Sequence, residues 1–275
     1  MLHFQGNTAF RVEPAFIPKN VAALMQLREP SSEFVMLVRL NDKLQKQCGD
    51  EYSVQCWSGD QLHRIQTSTL RSLARCYAEV FNESWGENWT EATAMAEVQK
   101  CLDAPPGYMP VVTMLFRGED VVGFCWAFIM ETDALTEESA PFSSSSIKRH
   151  ESVNVARYWL DSVGRKNTLV SIRELGVIKE HRQDKTPFLL LPILEKAKAM
   201  DCNVAFFRTK TTSKAFKWGL GIGFVPLQLF MVDDLLLMKG NVKYAMNVLY
   251  GSLDEGKKRQ SQHEIISNIK RYLCD

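Results

Sequence analysis

This sequence lacks the long apolar runs, the charge excess and the cysteine patterns that mark membrane, nucleic-acid-binding and zinc proteins. Its longest apolar stretches, 121–130 and 188–194, are much shorter than the roughly 20 residues that a membrane-spanning helix needs. Thirty-three basic and 32 acidic residues give a formal net charge of +1, so no overall field attracts polyanions. We therefore expect neither nucleic acid nor a membrane as a partner.

The seven cysteines are odd in number and scattered, without a C-x-x-C pair. This usage is typical of a reduced, cytoplasmic protein, and it predicts no metal site. The sequence also lacks a G-x-S-x-G elbow, a Walker A loop and an H-E-x-x-H helix. These absences argue against the corresponding hydrolases, nucleotide-binding proteins and metalloproteases.

The first half of the chain predicts one strand, two helices and a hairpin. Residues 52–57 alternate like a strand, and 68–81 carry apolar residues at helical spacing. Thr90 is a candidate N-cap for a second helix, which Pro105-Pro106-Gly107 ends. Two β-rich runs, 111–116 and 121–130, are separated by a polar four-residue turn, which indicates a hairpin.

The second half predicts a β-α-β-α-β series. It comprises a strand over 168–178, a polar turn over 181–185, a helix over 187–200, a strand over 204–207, a helix over 213–219 and a strand from 224. We divide the chain into an N-terminal extension of uncertain fold (1–50), a central domain (51–240) and a C-terminal helical tail (241–275). Residues 242–250 also alternate like a strand, but we favour a helix.

The residues Glu174-Leu175-Gly176-Val177, the Arg182 that follows them and the pair Gly223-Phe224 resemble the GNAT acyltransferase superfamily. The order of the predicted elements is similar too. The resemblance implies an α/β fold with a mixed central sheet of about six to seven strands flanked by helices. It also implies transfer of an acetyl or other acyl group from acetyl-CoA or another acyl-CoA to an amine acceptor, either a small molecule or a peptide.

In this family the acyl-CoA lies along the fourth strand, with its diphosphate on the N-terminus of the next helix. The first N–H groups of a helix lack partners within it and favour an anion there. We expect Thr186 to cap this helix, with Pro187 at its first position. The cofactor-binding residues that the resemblance implies are Val177, Ile178, Arg182, Lys185, Thr186 and Phe188.

Two departures from the family pattern concern binding and catalysis. Lys185 and Pro187 stand where the phosphate loop R/Q-x-x-G-x-G/A has its small residues, and Gly219 stands where a tyrosine commonly serves as the acid. Two alternatives to the transferase are therefore kept open. One is a catalytically inactive GNAT-fold binding or regulatory protein, and the other is an atypical member that acts on acyl-carrier-protein thioesters.

Glu174 is our candidate general base, because a carboxylate in a partly apolar cleft can have its pKa raised toward neutrality. The alternative is a structural ion pair with Arg173 or a residue of a neighbouring strand. Trp85 and Trp89 match the place where the family builds the wall of its acceptor site, although aromatic pairs also serve in ordinary packing. We assign no metal ligand.

Overall fold

The computed structural model describes residues 32–132, 134, 168–182, 184–232 and 235–254. The helices are α1 (Ser32–Cys48), α2 (Thr67–Trp85), α3 (Glu91–Leu102), α4 (Thr186–Ala199), α5 (Lys214–Gly221) and α6 (Val242–Asp254). The strands are β1 (Tyr52–Ser58), β2 (Met109–Arg117), β3 (Asp120–Glu131), β4 (Thr168–Val177), β5 (Val204–Lys210), β6 (Val225–Val232) and β7 (Leu235–Asn241). Short 3-10 turns lie at Gly59–Arg64 and Lys179–His181.

The seven strands form one mixed sheet in the order β1-β2-β3-β4-β5-β7-β6. The β4–β5 pair is parallel, and every other pair described is antiparallel. Parallel neighbours need a crossover connection, and α4 provides it. This arrangement confirms the predicted α/β fold class with its mixed sheet of six to seven strands.

Helices cover both faces of the sheet, because alternate strand residues point to opposite sides. Val112, Met114 and Phe116 of β2 pack in one apolar cluster with residues of α2 and α3. Val111 and Leu115, from the intervening positions, pack in a second cluster with α1, α4 and α6. The N-terminus of α3 is held by the expected cap, since the Thr90 hydroxyl accepts from the Thr93 amide at 3.2 Å.

Helices α1 and α6 share the core beneath α4. Leu40 and Leu44 of α1 and Leu249 and Leu253 of α6 are all buried in the same cluster, and Lys43 forms an ion pair with Asp254. The favoured helix over 242–250 is therefore confirmed and extends to Asp254. The proposed division of the chain at residues 50 and 240 stays a prediction.

Several elements differ in extent from those predicted. Strand β5 runs to Lys210 rather than ending at 207, and β7 had no sequence assignment. Its Leu235-Leu236-Leu237-Met238 run shows no alternation, because both faces of this interior strand are covered. The polar sequence over 132–146 also predicts a loop, and apolar residues over 153–160 predict a short helix; apart from 132 and 134, which are helical, these residues lie outside those described. No helix among the described residues has the length and apolarity needed to cross a bilayer.

Candidate functional site

A β-bulge in β4 places two charged residues at the centre of the sheet. Trp126 of β3 pairs with Glu174, whereas the next residue, Ala127, pairs with Ile172. Arg173 is therefore the extra residue of the bulge. Such an insertion interrupts the alternation of side chains along the strand, and both Arg173 and Glu174 line one cavity on the α3 side of the sheet.

The neighbouring strand separates from β4 at the same residue. The β4–β5 pairing comprises Val170–Ile172 of β4 with Ala205–Phe207 of β5. Strand β4 continues to Val177 and β5 to Lys210, so both run on without pairing to each other. We call these unpaired stretches, 173–177 of β4 and 208–210 of β5, the gap between β4 and β5, and it begins at Arg173, the residue before Glu174.

The cavity at the bulge has a volume of about 280 Å³. Arg173 lies over the Phe128 ring, 5.3 Å from its centroid, and the Tyr108 ring meets the same ring edge-on at 5.7 Å. The other residues that line it are Glu97, Lys100, Cys101, Pro105, Trp126 and Glu174. The cavity therefore combines aromatic walls with charges of both signs, and it has room for a small polar molecule or the end of a larger one.

Burial within this cavity, together with the nearby carboxylates of Glu97 and Glu87, raises the pKa of Glu174 to about 8, while Arg173 opposes the shift. Withdrawal from water disfavours the charged form of a carboxyl group. Glu174 consequently exchanges a proton near neutral pH, which is the property that a general base requires. The environment expected for this residue from the sequence is thus present.

An aromatic stack supports the cavity from the α2 side. Tyr77 lies parallel to Trp126, with ring centroids 5.4 Å apart, and Trp89 meets Tyr77 edge-on at 5.0 Å. The side chain of Asn82 fixes the Trp89 backbone, accepting from its amide at 2.6 Å and donating to its carbonyl at 2.9 Å. Trp89 therefore stands behind the residues that line the cavity.

Trp85 lies elsewhere, so the structure does not bring together the two residues of the expected acceptor wall. Trp85 is the last residue of α2 and is 40% exposed. The Lys210 ammonium, at the end of β5, lies 5.0 Å from the centroid of its ring. Trp85 thus stands beside the gap between β4 and β5.

The N-terminus of α4 departs from the expected cap by one residue. Lys185 is the N-cap residue, Thr186 is already helical, and no side chain caps this end. The Phe188 amide, expected to face a phosphate, donates to the Lys185 carbonyl at 3.1 Å, and its side chain is buried in the core. Upstream, the Ile178 amide donates to Val122 of β3 at 2.9 Å.

The two cations expected to bind a diphosphate have partners within the chain. Arg182 donates through Nε to the Val177 carbonyl at 2.9 Å and through Nη2 to Glu83 and Ser84, each at 3.0 Å. Lys185 is buried and lies over the Tyr52 ring, 4.6 Å from its centroid. As they stand, the residues at this helix end do not fit the diphosphate of an acyl-CoA.

His181 contributes to the same closed arrangement. Its Nδ1 lies 2.8 Å from the Tyr52 hydroxyl, and the two rings meet edge-on. Burial lowers the pKa of His181, and the nearby charges of Arg117 and Lys185 lower it further. Tyr52, on the edge strand β1, thus contacts both His181 and Lys185.

A packing contact explains the glycine at the family's tyrosine position. A Cβ at Gly219 would overlap the Cζ atom of Phe207, whose ring packs edge-on against Phe224 at 4.9 Å. The Phe207 ring thus fills the space beside the α5 backbone. A phenol at residue 219 would need that ring to move.

Sequence reasoning missed the aromatic walls and the role of Arg173. Trp126 and Phe128 stand two residues apart in β3, together with Phe124, and this spacing alone would have indicated one aromatic face. Arg173 was considered only as a partner of Glu174. No sequence pattern indicates the β-bulge at Arg173 that brings both side chains to one cavity.

No family model matches this sequence, and no curated protein matches it. Among solved structures, the chain is similar to PH1933 from Pyrococcus horikoshii OT3, at 15% identity and a TM-score of 0.43, over 69% of this chain and 98% of that one. It is also similar to the PaiA N-acetyltransferase of Thermoplasma acidophilum in complex with coenzyme A, at 10% identity and a TM-score of 0.44, over 69% and 99%.

A third similar structure is FeeM, an N-acyl amino acid synthase from uncultured soil microbes, at 12% identity and a TM-score of 0.46, over 70% of this chain and 92% of that one. Similarities this distant do not carry a catalytic role or a substrate to this chain. Its own strand order, parallel β4–β5 junction and crossover helix match the order of elements that the resemblance implies. The described part of the chain therefore has the mixed α/β fold that the resemblance implies.

Proposed function

We propose that this protein transfers an acyl group from a thioester to an amine, with Glu174 as the general base. The observation that carries the proposal is the position of Glu174, in a cavity beside the gap between β4 and β5, with a pKa of about 8. An amine attacks a thioester only in its neutral form, and a carboxylate of this basicity can accept the proton that the amine loses. The cavity volume of about 280 Å³ suits the amine end of an acceptor.

The chain's own residues support this chemistry in three ways. The rings of Trp126 and Phe128 line the cavity together with Glu174, and the burial of Glu174 there strengthens its electrostatic interactions. Arg173 offsets the negative charge of the deprotonated base. In the proposed reaction an extended thioester arm lies along residues 173–177 of β4, which are not paired with β5, because backbone groups at the edge of a strand can bind an added extended chain.

The donor expected from the resemblance is acetyl-CoA or another acyl-CoA. Because the end of α4 does not fit its diphosphate, we assign no step to that part of the donor. The acid that would protonate the leaving thiolate has no assigned residue, since Gly219 carries no side chain. The acceptor is an amine of a small molecule or a peptide.

The test is amine-dependent release of thiol from a panel of acyl thioesters, supplied with mixed amino acids, polyamines and short peptides. Glu174→Gln should lower kcat about 100-fold or more, the usual contribution of a general base. Glu97→Gln is the matched control, because it also removes a carboxylate from the cavity wall but leaves the base in place. Equal rates for Glu174→Gln and the wild type would refute the assignment of the base.

A second candidate is a GNAT-fold binding or regulatory protein without transferase chemistry. The observation that favours it is the pairing of Arg182 and Lys185 with partners inside the chain. The same assay separates the two candidates. Thiol release that requires an amine supports the transferase, whereas no release from any donor supports the binding protein.

A further inference from the structure

We propose that the acyl donor is an acyl-pantetheine thioester recognised without a nucleotide diphosphate, and that the end of α4 is a structural junction closed by its own side chains. The proposal rests on the transferase function above. It names the class of donor and assigns a role to the 182–188 segment. Four observations carry it, three at the end of α4 and one along β4.

The first observation is the set of contacts made by Arg182. Its side chain donates to the Val177 carbonyl and to two groups at the end of α2, the Glu83 carboxylate and the Ser84 hydroxyl. Lys179 also forms an ion pair with Glu83, at 3.6 Å. To bind a phosphate, Arg182 would have to break its ion pair with Glu83 and its hydrogen bond to the Val177 carbonyl, and breaking these interactions costs free energy.

The second observation is the place of Lys185. The residue is only 6% exposed, and its ammonium lies over the Tyr52 ring. It also interacts with Cys48 at the end of α1, where it opposes the effect of burial on the thiol pKa. Lys185 thus stabilises the contact between α1, β1 and α4. The attraction between a cation and an aromatic ring is stronger when the cation is removed from water.

The third observation concerns the backbone at the helix end. Pro187 has no N–H group, and the Phe188 N–H already donates to the Lys185 carbonyl. Neither residue of the first turn can therefore donate a backbone N–H to a ligand. Asp184 precedes the helix with a φ of +49° and an exposed side chain. Its carboxylate supplies a negative charge at the helix N-terminus, where an anionic diphosphate would need a positive charge.

The fourth observation is that β4 continues past the end of its pairing with β5. Pairing between β4 and β5 ends at Ile172, and the next five residues of β4 run beside the gap. A pantetheine arm is an extended chain with two amide groups, so it can bind a strand edge by backbone hydrogen bonds. Such recognition needs neither adenine nor diphosphate.

Two sources could present this arm. One is a free acyl-pantetheine thioester, and the other is the 4′-phosphopantetheine arm of an acyl carrier protein. Both share the same thioester chemistry and lack the nucleotide and the diphosphate of coenzyme A; the carrier-protein arm keeps a single phosphodiester. The experiment therefore includes a donor of each kind beside the acyl-CoA.

The experiment compares matched donors that carry the same acyl group, hexanoyl or acetyl, on coenzyme A, on pantetheine and on a carrier protein. We expect kcat/KM for acyl-CoA and acyl-pantetheine to agree within about threefold. A diphosphate held by two or more charge-assisted hydrogen bonds would instead make acyl-CoA better by about 100-fold or more, and that result would overturn the proposal. A kcat/KM for the carrier protein well above both would identify the protein-bound arm as the source.

A binding measurement separates this proposal from the transferase function. Titration of the wild-type protein with 3′,5′-adenosine diphosphate should give no heat of binding at 100 μM ligand, and coenzyme A should bind no more tightly than pantetheine. Saturable binding of either compound that Arg182→Ala weakens would overturn the closed helix end, even if no donor turned over. Absence of binding together with absence of turnover from every donor would support the closed helix end and refute the transferase.

Discussion

Replacing Glu174 by glutamine should make the protein more stable at alkaline pH. The carboxyl group has a pKa of about 8 in the folded protein, against an ordinary value of 4.5. A group whose pKa is raised by folding contributes stability that is fully present below pH 4.5 and is lost as the pH rises to 8. Glutamine has nearly the same shape and does not ionise, so it removes this loss.

The magnitude follows from the shift in pKa. Each unit of difference corresponds to about 1.4 kcal/mol, so the wild type loses about 1.4 kcal/mol of this contribution by pH 5.5 and about 5 kcal/mol by pH 9. The free energy of unfolding of Glu174→Gln, relative to the wild type, should therefore increase by about 3 kcal/mol between these two pH values. Any constant effect of the amide group cancels in this comparison.

Urea denaturation followed by circular dichroism at pH 5.5, 7, 8 and 9 measures the difference. Glu97→Gln is the control, because it lowers the negative charge near Glu174 without removing the group whose pKa is raised to about 8. A stability difference between Glu174→Gln and the wild type that does not change from pH 5.5 to 9 would refute the reasoning. It would mean that Glu174 is ionised throughout, as in an ordinary exposed ion pair.

Two further substitutions test the surroundings of this residue. Arg173→Met removes the positive charge that opposes the raised pKa of Glu174, so the acid limb of the kcat profile should move to higher pH; a shift to lower pH would contradict the role given to Arg173. Gly176→Ala should lower the free energy of unfolding by about 1–3 kcal/mol, a typical cost of overpacking, because the new Cβ would lie 2.6 Å from Val80 Cγ1. Adding Val80→Ala should reduce that cost in denaturation experiments, and no reduction would refute the contact.

The order of helices and strands could be predicted because the local signals agree with the fold. The hairpin of β2 and β3 has two β-rich runs and a polar turn as predicted, although Arg117 and Asp120, expected in the turn, pair as the last residues of the ladder. The α3 cap at Thr90 was readable from the side-chain chemistry of its first turn. Strand β7 was missed because an interior strand covered on both faces shows no alternation.

The candidate site could be predicted only in part, since its geometry depends on contacts between distant residues. Glu174 was found from its place in the fourth strand, and its raised pKa agrees with the chemistry proposed for it. The pairing of Arg182 with Glu83 joins residues 99 positions apart. Lys185 and Tyr52, which are also in contact, are separated along the chain by strands β2, β3 and β4. No local pattern indicates such partners, so the position of the turn before the helix, taken from the family resemblance, assigned both cations to a ligand.

The strand order has a consequence for how the molecule opens. Strands β1–β4 form one antiparallel ladder and β5–β7 form another, and these ladders meet along a seam of only three residue pairs. Amide hydrogen exchange should accordingly resolve two cooperative units, with the amides that donate between β4 and β5 exchanging before those at the centre of either ladder. The sheet can then widen at its middle by hinging one ladder against the other, while the hydrogen bonds within each ladder stay intact.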